Sequence, residues 1–502
     1  MSGAWLVAAS LAFYGWWEPK YLLLIIGSIA ANHLIAIALE RCPDTQQRAR
    51  LLMLTVGVLG NLAAIGWYKY SGFFLSVSND VFGTDFHIRA LILPLAISFF
   101  TFQQIAYLVE VYRRTHGAGD TGTYLLFVTF FPQLIAGPIV NYRDMAPQFA
   151  RLGQGLVSGQ LLQGLLVFSV GLFKKVIIAD GVAPYSDTVF ALAASGVDPT
   201  LLEAWTGALA YSLQLYFDFS GYSDMALGLG CMLGIRLPKN FESPYRASSI
   251  IEFWRRWHIS LSTFLRDYLY VPLGGSQRGP TRTLINLMIV MVLGGLWHGA
   301  GWTFIAWGAL HGLYLLVNHL WRRRRSSAQQ PQVLGVGARL RHLIGTGISH
   351  GLTLMAVVVA WVLFRATSLM EAGRIIRGMF GFNGVALPDS WQYKKPEVVN
   401  TLQNLGISFQ ELPVLGPQFP LIGDFLRLLN IGEALDEAGT LTALLSLSIP
   451  IFIVFVMPNT GRIMNARLTP KLVWVATPIC AALAAYGALG GSGTSQFLYF
   501  NF

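Results

Sequence analysis

Two histidines and three arginines between residues 252 and 301 are the side chains in this sequence best placed to do chemistry. His298 closes an apolar run that begins after Arg282. It is bracketed by Gly294, Gly295, Gly299 and Gly301, residues that let another backbone or a ligand approach closely. An unperturbed imidazole titrates near pH 6.5, so a ring at this position can be neutral and accept a proton at working pH. The structural alternative for His298 is a satisfied packing histidine. His258 lies in EFWRRWHISLSTFLRDYLY. On a helix over residues 252–268, Trp254, Trp257, Leu261, Phe264, Leu265 and Tyr268 form one apolar stripe with His258 at its edge. Arg255, Ser262 and Arg266 cluster on a flank of that helix, and Glu252 and Arg256 stand at i,i+4 spacing. The segment reads as a basic amphipathic helix at a membrane interface.

Two carboxylates, Asp218 and Asp224, fall in an otherwise apolar region, where each costs about 2.5 to 3.5 kcal/mol on insertion scales. Six residues apart, they would not share a face of one helix, so a paired acid/base role is unsupported. Pairing with an arginine of the following basic segment is the expected structural role. Cys42, Cys231 and Cys480 are too scattered for a disulfide framework, and no HExxH or Cys/His cluster implies a metal.

The elements that must position these side chains are membrane helices. Of 502 residues, 54% are hydrophobic and only 12% charged, against roughly 25% charged in a soluble domain. Apolar runs over residues 21–39, 51–68, 90–112, 161–178, 347–364, 441–457 and 472–489 are candidate spans, while 4–17 is short for one. Residues 124–140 contain Pro132, Gly137 and Pro138 and read as a bent or re-entrant element buried in protein. Lys174 and Lys175 are expected to snorkel to an interface. Residues 326–341 read as a linker, 365–438 as a non-membrane excursion with short amphipathic helices, and the tail SQFLYFNF as an aromatic interfacial anchor. No removable leader and no internal repeat is read. The net charge of +10 sits in short connections rather than in a soluble basic domain. It fits orientation by the positive-inside rule and attraction to membrane lipid, with no nucleic-acid partner.

Four stretches then carry a resemblance. FFPQLIAGPI, SGYSDMALGLG, FWRRWHISLSTFLRDYLY and GGLWHGAGWTFIAWGALHG, in this order, resemble the membrane-bound O-acyltransferase family, in its alginate O-acetyltransferase branch. The resemblance runs from about residue 16 to about residue 379. It implies an all-α, polytopic integral membrane fold with re-entrant and interfacial helices, forming a single domain over residues 1–502. It also implies that His298 is the catalytic base and His258 a second active-region residue that positions or hydrogen-bonds. Trp297, Asp218 and Asp224 join the substrate-binding set, with Arg255, Arg256 and Arg266 holding the phosphates of a coenzyme A donor; for those arginines, cytoplasmic retention is the plain alternative. His311 and His319 remain packing residues.

The implied reaction is O-acetylation of an exported polysaccharide, of the alginate or cellulose type. The acetyl group comes from a cytoplasmic acyl thioester, acetyl-CoA, and crosses the inner membrane to periplasmic acetyltransferase partner proteins, with no bound cofactor. The rival reading is a transporter or polymer-export subunit, which would also need buried charges and broken helices.

Overall fold

The computed structural model describes residues 2–87, 91–153, 158–326, 336–389, 396–415 and 440–465, with isolated positions between 477 and 498. Five helices are long and apolar enough to cross a membrane: Tyr21–Arg41, Gln47–Phe82, Gly159–Ala194, Pro280–His298 and Ile344–Arg365. The chain is thus a multi-pass, almost wholly helical membrane protein. It divides into two compact units, one of residues 1–168, 222–240 and 466–477, the other of 169–221, 241–465 and 478–502.

The first unit opens with α1 (Ser2–Trp17), α2 (Tyr21–Arg41) and α3 (Gln47–Ile65), the last running through a π-helical turn (Gly66–Tyr70) into α4 (Ser71–Phe82). The run read over 51–68 therefore extends well beyond its apolar stretch. The run read over 90–112 is helical only as α5 (Ile97–Tyr112), after a left-handed Ala96. Polar pins hold these helices: Asn61 Nδ2 donates to Asn32 Oδ1 at 2.6 Å. The buried Arg50 guanidinium donates to the carbonyls of Leu39, Cys42 and Tyr112, at the C-terminal ends of α2 and α5 where a cation is favoured. The bent, buried element expected over 124–140 is present. Asp120 caps α6 (Thr121–Thr129), Phe130 breaks the helix, and α7 (Phe131–Leu134) carries Pro132 in its first turn.

After α8 (Tyr142–Phe149), α9 (Ser158–Phe173) continues through a π-helical turn (Lys174–Ala179) into α10 (Asp180–Ala194). The extra residue of such a turn re-aims side chains. Here Lys175 is 5% exposed rather than snorkelling, and its Nζ lies 2.8 Å from both Asp180 and Asp218. The next helix, α11 (Leu201–Met232), carries both expected carboxylates: Asp218 in the second unit, Asp224 in the first. Asp218 thus pairs with a lysine upstream rather than with an arginine downstream. The residues separating them fold back as packed helix, bringing the lysine nearer than the arginines. Asp218 Oδ2 also accepts from the Leu498 amide at 3.1 Å, and Lys175 lies over the Phe497 ring at 5.0 Å, so these tail residues dock against a buried ion pair.

The second unit holds the short helices α12 (Ile250–Arg256) and α13 (Ile259–Leu265), then α14 (Pro280–His298), α15 (Trp302–Ser326), α16 (Val336–Arg365) and α17 (Leu369–Met379). α14 and α15 form a hairpin whose backbones touch. A Cβ on Gly295 would run into the Phe304 carbonyl oxygen, and one on Gly308 into that of Met291. The core of this unit gathers Phe253, Trp257, Trp307 and Trp361. α16 begins at Val336, so the last six residues of the stretch read as a linker, 336–341, are helical. Within 365–438, α17 is joined by an unanticipated parallel pair of strands, β1 (Val385–Pro388) and β2 (Ile407–Gln410); residues 416–438 lie outside the described part. The run read over 441–457 forms a helix of 17 residues, Thr440–Val456, and 472–489 lies mostly outside the described residues.

Candidate active site

The site is built by the break between α12 and α13. The Ser249 hydroxyl accepts from the Glu252 amide at 3.3 Å, while the Glu252 carboxylate accepts from the Ser248 amide at 2.8 Å and fixes where α12 starts. The helix stops at Arg256, and His258 adopts a left-handed conformation with φ 43°. The continuous helix expected over 252–268 does not form. The left-handed residue costs about 1 to 2 kcal/mol, offset by burying Trp257 and His258 to 3% and 1% exposure. A further π-helical turn, Arg266–Tyr270, ends α13.

The kink places His258 inside rather than at the edge of an apolar stripe. Its ring meets Phe219 edge-on at 4.7 Å and stands 6.4 Å, centroid to centroid, from His298. Burial pushes its imidazole well below the ordinary value, to about 3, so the ring is neutral at physiological pH. His298 is the last residue of α14, where the hairpin glycines let the chain turn. Its ring is walled by Trp297 at 4.8 Å, Phe364 at 5.1 Å and Trp307 at 5.3 Å.

A cavity of about 480 Å³ reaches His298 and has Arg255 and Arg266 in its wall. Arg266 also shares a two-point contact with Asp267, at 2.7 and 3.1 Å. Arg256 is absent from the wall and pairs with Glu252 at 2.6 Å. Trp297 is buried against His298 outside the cavity lining, and neither Asp218 nor Asp224 lines it. His311 is fully buried and packs against Trp254 and Trp307 at 5.2 and 4.9 Å. His319, read as a packing residue, lines the cavity together with Tyr270. The signal was present for His319: Trp307, His311, Leu315 and His319 recur every four residues on one helix face. Among the described residues, no group of His, Cys, Asp and Glu is placed to hold a metal ion. The arrangement sets an imidazole in a largely apolar wall, facing a cavity that also carries two guanidinium groups. It can move a proton beside an anion-bearing substrate.

Residues 120–357 match the sequence profile of MBOAT, the membrane-bound O-acyltransferase family, a range that contains both histidines and every residue lining the cavity at His298. The chain is 38% identical to the peptidoglycan O-acetyltransferase of Helicobacter pylori, over 99% of its own length and 91% of that protein's. It is 42% identical to a "probable alginate O-acetylase" of Pseudomonas aeruginosa, over 75% of its length and 69% of the relative's. A teichoic acid D-alanyltransferase of Streptococcus thermophilus is 28% identical over 48% of the chain and 60% of that relative. The chain belongs to the membrane-bound O-acyltransferase family and is an acyltransferase by class.

Proposed function

We propose that this protein is an inner-membrane O-acetyltransferase that takes acetyl groups from a cytoplasmic acyl thioester, acetyl-CoA, for O-acetylation of an exported polysaccharide. The observation that carries this reading is His298 in the wall of a cavity that also presents Arg255 and Arg266. In the proposed step His298 removes the proton of an acceptor hydroxyl as its oxygen attacks the thioester carbonyl. The tetrahedral oxyanion collapses, expels the thiolate, and the proton passes from His298 to sulfur. Arg255 and Arg266 hold the donor's phosphates by charge-assisted hydrogen bonds. His258, neutral and buried beside His298, positions the reacting groups, with Trp297 fixing the plane of the catalytic ring. Asp218 and Asp224 act through the fold rather than by touching substrate. The acceptor hydroxyl carries the acetyl group as an ester, and periplasmic acetyltransferase partners then move it from that oxygen to a hydroxyl of the polymer. Relatives named for peptidoglycan and alginate O-acetylation support a glycan as the final acceptor.

The test is acetyl transfer from acetyl-CoA by the purified protein in liposomes, measured beside solute flux. Transfer that depends on His298 supports the reading; solute flux without acetyl transfer would overturn it in favour of a transporter.

A further inference from the structure

A second cavity, of about 690 Å³, lies where α15 ends and α16 begins, and it shares no lining residue with the cavity at His298. Its polar wall is made by Ser249, Asn318, Arg322, Ser349 and Thr353. The Arg322 guanidinium is steadied by a 3.1 Å bond from Nη2 to the Ser249 hydroxyl and forms no ion pair among the described residues. The nearby Glu252 carboxylate is neutralised by Arg256. One turn before Arg322, Asn318 carries a buried Oδ1 with no hydrogen-bond partner. The hydroxyls of Ser349 and Thr353 donate back to the carbonyls of Gly345 and Ser349, at 2.9 and 2.7 Å, so they face a ligand as acceptors. One cation with several acceptors suits an anion that also carries hydroxyl donors.

The surroundings specify where such an anion comes from. Trp321, Ile348 and Leu352 line the same cavity and are 57%, 58% and 62% exposed, and the α16 residues belong to a membrane-crossing segment. A freely soluble phosphate would leave that apolar rim uncovered, whereas acyl chains cover it. We infer that this cavity holds the phosphodiester headgroup of an anionic, hydroxyl-bearing phospholipid of the phosphatidylglycerol type. The phosphate sits on Arg322, the headgroup hydroxyls donate to Asn318 and Ser349, and the tails lie along Ile348 and Leu352.

The experiment uses the full chain, delipidated in detergent and titrated separately with phosphatidylglycerol, phosphatidic acid, phosphatidylethanolamine and coenzyme A, with native mass spectrometry and thermal unfolding as readouts. Phosphatidylglycerol should bind and raise the unfolding temperature more than phosphatidylethanolamine does. Arg322→Gln should weaken phosphatidylglycerol about tenfold, the loss of one charge-assisted contact, while Arg324→Gln, outside the cavity, should leave it unchanged. Asn318→Leu keeps the cation and should narrow the preference for phosphatidylglycerol over phosphatidic acid. Equal binding of both neutral and anionic lipids, or equal loss in the two arginine variants, would overturn the site. So would coenzyme A binding that Arg322→Gln abolishes while lipid binding persists, since the cavity would then serve a soluble phosphate.

Discussion

His298 and His258 are both buried imidazoles with ring centroids 6.4 Å apart, and their settings suit the different work proposed for them. His298 lines the cavity that carries Arg255 and Arg266, and His258 is not part of that lining. General-base catalysis contributes about 10² to 10⁴ in rate, so His298→Ala should leave protein abundance and donor binding intact while lowering acetyl transfer at least a hundredfold. A variant at normal level that keeps more than roughly a tenth of the rate would remove His298 as the base. His258 is readable through pH. Burial holds its folded value near 3 against an ordinary 6.5, so between those values the unfolded chain binds a proton that the folded chain refuses. Stability is therefore full above about pH 6.5 and declines as the medium becomes more acid. His258→Gln should flatten the acid-side fall in unfolding temperature; an unaltered slope would assign that fall to other groups. Both histidines were legible as candidates from residue type and motif. The left-handed backbone at His258 was not, because no glycine or asparagine announces it and only the burial of Trp257 and His258 offsets its strain.

At the scale of elements, glycine placement separates packing from filler. Gly295 and Gly308 bring the backbones of α14 and α15 together, whereas a Cβ on Gly351 of α16 would meet nothing within 4 Å. Gly308→Ala should cost on the order of 1 to 3 kcal/mol through overpacking and lower the yield of folded protein in the membrane. Gly351→Ala should be neutral or stabilising by a few tenths of a kcal/mol to about 1 kcal/mol from helix propensity. Equal unfolding temperatures for the two variants would refute the hairpin contact as a determinant of stability. Apolar runs revealed most spans because hydrophobic length is local information. The extension of two spans to 36 residues was hidden, since the π-helical turns that continue them depend on tertiary packing. The start of α12 was legible but overlooked: Ser249 and Glu252 spell a capping box.

For the molecule as a whole, eight Arg and Lys between positions 236 and 282 predict the side of the membrane. Each contributes roughly 1 kcal/mol of attraction to an anionic leaflet. A cysteine introduced at Gln277 should react only with reagent that reaches the cytoplasm; labelling of intact cells by an impermeant reagent would reverse the orientation. The buried Lys175 ties α10 to α11, and Asp218→Asn should cost about 3 to 5 kcal/mol by leaving that lysine poorly compensated. Membrane abundance and activity should fall together, and activity lost at normal abundance would give Asp218 a chemical role instead. Sequence reading located these charges and their expense. It chose the wrong partner because basic residues close in sequence compete, on paper, with a lysine that only the folded chain brings near.

The amide that completes the acceptor shell of Asp218 belongs to Leu498, 280 positions further along the chain. At ribosomal speeds of about 5 to 20 residues per second, that partner emerges roughly 14 to 56 seconds after the carboxylate it serves. The Leu498 contact can therefore close only long after both members of the Lys175–Asp218 ion pair have been made, which orders the two contacts in time: the ion pair can form first and the tail amide joins it late.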